Sequence, residues 1–268
     1  MLGQTEITIA TSFGPTRIDA QQRAVASWRR LGCGVVALNS AAEIESLRPA
    51  FADVEFVAAT RDAASVLGRP YVFIRDLALV AAERSTTCAI VNSDVELDAS
   101  RVSQNMPAID MAHALATMSR GALVFGNRVD YAPGDRAAGA TYALGYDYFF
   151  FDRTLAARLP DEPFCLGAPW WDYWLPDACH DLGVPLRHLT SAIAFHEQHE
   201  TAYSHQLWMM YAGLMSARLE RLDVAPMLTP QSRNAARDIA KRGIRLAEQF
   251  RESIERRSSR VTLSDPSR

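Results

Sequence analysis

The chain has 268 residues, with 49 % hydrophobic and 22 % charged side chains and a formal net charge of −3. That balance excludes disordered, collagenous and disulfide-scaffold proteins, and the overall charge speaks against a nucleic-acid binder. The length suits one large domain or two small ones with a sizeable core of their own. Charge is uneven: residues 231–268 hold ten basic and five acidic side chains, a net +5, which leaves −8 on the remainder. A distinct C-terminal element is therefore expected.

In chain order, Glu6–Ser12 reads as a strand and not as a signal peptide, ending at the Gly14-Pro15 turn signal. Asp19–Leu31 reads as a helix, with Ala24, Val25, Trp28 and Leu31 on one face. Val35–Leu38, Val54–Ala58 and Thr87–Val91 have the length and apolar content of buried strands. Ala41–Leu47 is helical, and Pro70 is expected to open a helix running to about Glu83. This alternation predicts an α/β fold with a mostly parallel sheet flanked by helices.

The second half is less regular. Ala122–Phe125 and Asp147–Phe151 read as strands, Pro133–Ala140 as a Gly/Ala-rich loop, and Phe164–Pro176 as a dense aromatic segment. Val184–Leu189 and Ala192–Phe195 are strand-like and lead into His196. Two helices follow, about Thr201–Leu222 and Gln231–Arg257. In the latter, Ile239, Leu246, Phe250 and Ile254 form an apolar stripe with arginines opposite, the pattern of a helix docked on its own domain. Such a basic face also suits peripheral contact with an anionic membrane, or a homodimer. Cys33, Cys88, Cys165 and Cys179 lack paired spacing and are expected to be reduced, buried thiols of a cytoplasmic protein.

Three constellations can carry chemistry. In Asn92-Ser93-Asp94-Val95-Glu96, polar side chains follow an apolar strand, where open α/β sheets bind ligands. A hard divalent cation takes one or two carboxylates and completes its shell with phosphate oxygens and water. An ordinary strand exit uses the same residue types. In Gly167-Ala168-Pro169-Trp170-Trp171-Asp172, an acid at a helix start is surrounded by aromatic residues. Aromatic faces bind sugar rings, and apolar surroundings raise a carboxyl pKa towards general-base use. The plainer alternative is a core of aromatics with Asp172 as a helix-terminus partner. His196-Glu197-Gln198-His199 lacks the spacing of a helical zinc motif, but one imidazole at a strand end can serve a metal.

Ile90–Asp94, the run Gly145-Tyr146-Asp147-Tyr148-Phe149-Phe150-Phe151, and Pro163–Trp174, in that order and followed by His196, resemble the GT-A class of nucleotide-sugar glycosyltransferases. The resemblance spans about residues 6–199 and implies a glycosyltransferase domain over 1–200. Residues 201–268 would be a helical extension packed on it, with a disordered tail from about 258. It implies transfer of a sugar from a nucleotide-diphosphate donor to a hydroxyl of a glycan or lipid-linked acceptor, on the inner face of a membrane or in the cytoplasm. Asp94, with Glu96 in a shifted register and His196 as a late ligand, would hold Mn²⁺ or Mg²⁺, with His199 as the fallback. Asp172 would be the base of an inverting reaction, and Asp147 the spare carboxylate that a retaining one would need. Thr11, Ser12, Arg17, Arg75, Asn92, Ser93 and Trp171 would contact the donor. Asn92 stands where the family's Asp-x-Asp signature commonly begins with Asp. That departure motivates an alternative, a silent domain of the same fold that binds glycan or a protein partner.

Overall fold

The computed structural model describes residues 6–99, 101–102, 106–200, 203–220 and 246–263. Its first elements are β1 (Ile7–Thr11), α1 (Ile18–Arg30), β2 (Gly34–Asn39), α2 (Ala41–Leu47), β3 (Glu55–Ala58), α3 (Ala64–Leu67), α4 (Ile74–Ala82), β4 (Thr87–Val91) and β5 (Val95–Leu97). After them come α5 (Ala108–Ser119), β6 (Leu123–Ala132), β7 (Asp135–Thr141), β8 (Tyr148–Asp152), a 3-10 turn (Arg153–Arg158), α6 (Trp171–Asp181), β9 (Leu186–Glu197) and α7 (His205–Leu219). A helical segment over 246–257 leads into β10 (Ser258–Val261).

The fold is a Rossmann-like α/β sandwich. One sheet runs in the order β10-β9-β6-β8-β4-β1-β2-β3, with β5 added to β9 and β7 to β6. β3, β2, β1 and β4 are mutually parallel, as are β6, β9 and β10, while β8 runs antiparallel between the two groups. All five residues of β1 and of β4 are buried, because helices cover both faces of the sheet there. β8 shows how the period of two sorts side chains. Phe149 and Phe151 enter the core under α4, α6 and α7, whereas Tyr148 and Phe150 enter the opposite core under α1 and α5. Trp28 of α1 is fully buried in the latter, its indole N–H donating to the Val95 carbonyl at 2.9 Å.

Several expectations are corrected. The helix expected from Pro70 begins at Ile74, because residues 71–73 are extended and bridge to 165–166, with Leu166 N–H donating to Val72 O. Residues 133–140, expected as a loop, hold most of β7, an exposed hairpin strand on β6. The two runs between 184 and 195 form one strand, β9, and α5 had no counterpart among the predicted elements. Residues 258–261, expected to open a disordered tail, form an edge strand parallel to β9. Phe250 and Ile254 dock into the main core as the apolar stripe requires, whereas Ile239 lies outside the described residues. All four cysteines are free and buried. Among the described residues no helix is long and apolar enough to cross a membrane.

Candidate active site

The chain runs β1, β2, β3 towards one edge and then returns to place β4 on the other side of β1. That reversal makes a switch point beyond the carboxyl ends of β1 and β4, the place where sheets of this kind bind ligands. Arg17 reaches it from the β1 side and Asp94 from the β4 side, and they form an ion pair at 2.8 Å. Arg17 is a non-glycine residue in the left-handed region, φ 55°, just ahead of α1. A conformation of that kind costs about 1 kcal/mol or more, so it persists because the side chain is held by Asp94 and by the Glu197 carbonyl at 3.1 Å.

β9 delivers His196, and His199 follows just after it. Its pairing with β5 sets His196 opposite Val95, immediately after Asp94. His196 Nε2 lies 3.4 Å, and His199 Nε2 3.1 Å, from Asp94 Oδ2. One ligand atom from each of Asp94, His196 and His199 lies within 4.8 Å of the others, a geometry able to hold a metal ion. The other ring nitrogens are engaged as well: His196 Nδ1 lies 3.0 Å from Asp130 Oδ1, and His199 Nδ1 lies 2.6 Å from the Glu200 carbonyl. An acceptor at Nδ1 keeps a proton there, so a metal that displaced the Nε2 proton would meet the ring in the tautomer a ligand needs. Burial opposes charge on Asp94, but hydrogen bonds from His196 and His199 outweigh it and hold its carboxyl far below the usual range. Burial opposes charge on His196 too, yet Asp130 and Asp94 raise it to about 9. Arg17 brings a further positive charge to Asp94 Oδ2. The donor set of one carboxylate and two imidazoles accepts Mn²⁺ more readily than Mg²⁺, which prefers oxygen ligands.

Glu96, expected among the ligands, is elsewhere occupied. Its oxygens accept the Tyr131 hydroxyl at 2.8 Å and Arg136 Nη1 at 2.9 Å. His199, the fallback, is the third member instead. Arg128 and Asp130, which no motif had singled out, connect the group to the rest of the site. Arg128 Nε donates to Asp130 Oδ1 at 2.6 Å and Nη1 to Asp147 Oδ2 at 2.5 Å, and the guanidinium sits 4.2 Å over the Tyr142 ring. A β-bulge between Gly126 and Arg128, where β6 slips against β9, interrupts the buried run Leu123–Gly126 just ahead of Asn127 and Arg128.

Asn92 donates its side-chain amide to Asp147 Oδ1, and its backbone N–H bonds the Asp147 carbonyl at 2.9 Å. This contact explains the amide at position 92. An aspartate there would place a second carboxylate against Asp147, where a donor is required. Asp147 is thus a buried anion with both oxygens partnered. Asp172 is different. It is half-buried on the first turn of α6 and accepts the Tyr146 backbone N–H at 3.2 Å. Burial, reinforced by the charge of Asp147 and opposed by backbone hydrogen bonds, pushes its carboxyl up to about 7. Gly145 makes room for it: a Cβ there would stand 2.7 Å from Asp172 Oδ2.

The remaining expectations divide. Thr11 Oγ1 donates to the Val91 carbonyl at 2.7 Å and stitches β1 to β4. Ser12 and Ser93 are half-buried beside those strand ends. Arg75 donates to the Leu159 carbonyl at 3.0 Å, apart from the Arg17–Asp94 group. Trp171 is buried edge-on to Phe149, and Trp170, Tyr173 and Trp174 are buried with it, so the aromatic segment forms core rather than a sugar platform. A cavity of about 570 Å³ lies between α1 and residues 50–54 and touches none of these side chains.

No protein-family model matches the chain, and no curated protein matches it. Among solved structures it is similar to mannose-1-phosphate geranyltransferase from Thermus thermophilus, with 14 % identity and a TM-score of 0.31. The match covers 58 % of this chain and 59 % of that one, so the chain spans less than two thirds of its length. A likeness of that size carries no weight on activity.

Proposed function

We propose that the protein is a glycosyltransferase of the GT-A type. In this reading it moves a sugar from a nucleotide-diphosphate donor to a hydroxyl of a glycan or lipid-linked acceptor, with Asp172 as the base of an inverting reaction. The observation that carries it is the junction of Arg17, Asp94, His196 and His199 at the switch point of the sheet, continuous through Asp130, Arg128 and Asp147 with an acid whose pKa is about 7.

Asp94, His196 and His199 would hold Mn²⁺, which neutralises charge on the leaving diphosphate. Arg17, released from Asp94, is the chain's own cation for the same phosphates. Asp172 accepts the proton of the acceptor hydroxyl while its oxygen bonds the anomeric carbon and the bond from that carbon to the diphosphate breaks. A base of pKa near 7 suits that transfer at neutral pH. The donor set of two imidazoles and a carboxylate also matches non-haem iron(II) centres, a second reading that oxygen consumption with Fe²⁺ would favour.

The test is a thermal-shift panel of nucleoside diphosphates and nucleotide sugars with Mn²⁺, Mg²⁺ or chelator, followed by product analysis. Stabilisation by a nucleoside diphosphate only with Mn²⁺, and release of that diphosphate from one nucleotide sugar, are expected. Binding without any turnover of a bound nucleotide sugar would favour the silent alternative, and no binding by any member of the panel would overturn the donor assignment.

A further inference from the structure

Arg128 stands between two parts of the site. On one side its Nε and Nη2 hold Asp130, at 2.6 and 3.4 Å, and Asp130 in turn holds His196 Nδ1 at 3.0 Å. On the other side its Nη1 holds Asp147 at 2.5 Å, and Asp147 reaches Asn92 at the end of β4. The Tyr142 ring covers one face of the guanidinium, and only 16 % of the side chain is exposed. A planar fork with donors on both edges can serve two carboxylates at once, which a lysine ammonium on a flexible stem cannot reproduce.

We infer that Arg128 is a positioning residue that makes one unit of the cation group and the base: it fixes the His196 ring through Asp130 and screens Asp172 from the charge of Asp147. The second half rests on the reading of Asp172 as the base. Asp172 is faced by Asp147 and Tyr146 ahead of β8, Tyr142 after β7, its neighbour Tyr173 and Tyr203 ahead of α7, while Arg251 of the helical segment 246–257 acts on Tyr146 and Tyr173. Of these, Asp147 is the acid, and Arg128 is its cation. Removal of Arg128 leaves that anion bare, so Asp172 should hold its proton to higher pH.

The experiment reads both ends by NMR in the full chain without substrate, so its outcome is separate from that of the donor assignment. In Arg128→Met the carboxyl ¹³C titration midpoint of Asp172 is expected to rise by about one pH unit, the change that loss of one partly buried charge partner produces. Nuclear Overhauser contacts from the His196 ring protons are expected to weaken as the ring loses its fixed orientation. In an Asp147→Asn background the same substitution should move Asp172 by less than half as much, because the route runs through Asp147. Arg128→Lys, which keeps the charge and one contact, should give a partial shift and secures the test if the Met variant does not fold. A folded Arg128 variant with both Asp172 and His196 unchanged overturns the inference, as does a shift of equal size with and without Asp147.

Discussion

Residues 6–99 and residues 106–200 build their halves of the molecule in different ways. In the first, fully buried apolar strands alternate with helices, and each contact between neighbours is a parallel register a few residues wide. In the second, a hairpin, a bulge and an antiparallel central strand replace that repetition. The site draws on both unequally. The regular half contributes Arg17, just ahead of α1, and Asn92 and Asp94, after β4. The irregular half contributes Arg128, Asp130, Asp147 and His196, joined to one another, His199, bonded to Asp94, and Asp172, held by the Tyr146 N–H. The regular half thus provides the strand ends with Arg17 and Asp94, and the irregular half most of the other groups that would act there.

The largest test of this division is Asp172→Asn, which should lower turnover about 10²- to 10⁴-fold while nucleoside-diphosphate affinity stays within about twofold, by steady-state kinetics and calorimetry. Equal losses in both would merge the two roles. The wild-type rate should rise with pH through about 7, where the Asp172 carboxyl ionises. Stability should run the other way. The folded pKa lies above the unfolded value, so the contribution of Asp172 is complete below about pH 4. It falls by at most about 4 kcal/mol as pH rises to about 7, then levels off. Urea melts of wild type and Asp172→Asn across that window check the slope, which the variant should lose.

Asp94→Ala should weaken Mn²⁺-dependent nucleoside-diphosphate binding about 100-fold, measured by calorimetry with and without the metal. A smaller effect comes from Gly145→Ala, whose new methyl displaces the Asp172 carboxylate. Turnover should drop about tenfold or more with the melting temperature little changed, so the loss is one of aim. Smallest is Asn92→Asp, which turns a donor into a second carboxylate beside Asp147 and should cost about 1–3 kcal/mol in a denaturant melt at pH 7. Unchanged stability there would break the structural explanation for the amide.

The sequence alone located every strand from β1 to β4: strands covered on both faces, such as Thr87–Val91, are nearly all apolar, and the partly exposed β3 still carries the apolar Phe56-Val57-Ala58. It likewise marked Asp94, Asp172 and His196, since acids and an imidazole at strand and helix ends carry a local signal. The Ala-rich α5 has only a thin apolar stripe, Met111 and Leu115, and β7 has no buried apolar residue to betray it. Whether the tryptophans of 170–174 face a sugar or the core depended on how α6 lies on the sheet, which no local pattern encodes. Arg128 and Asp130 were invisible for the same reason. A charged pair on a strand looks like solvated surface until a bulge and the parallel pairing with β9 bring it against Asp147 and His196. Local periodicity reports which side of an element is apolar; the contacts that set a proton affinity or gather a ligand set arise between elements, and only packing determines those.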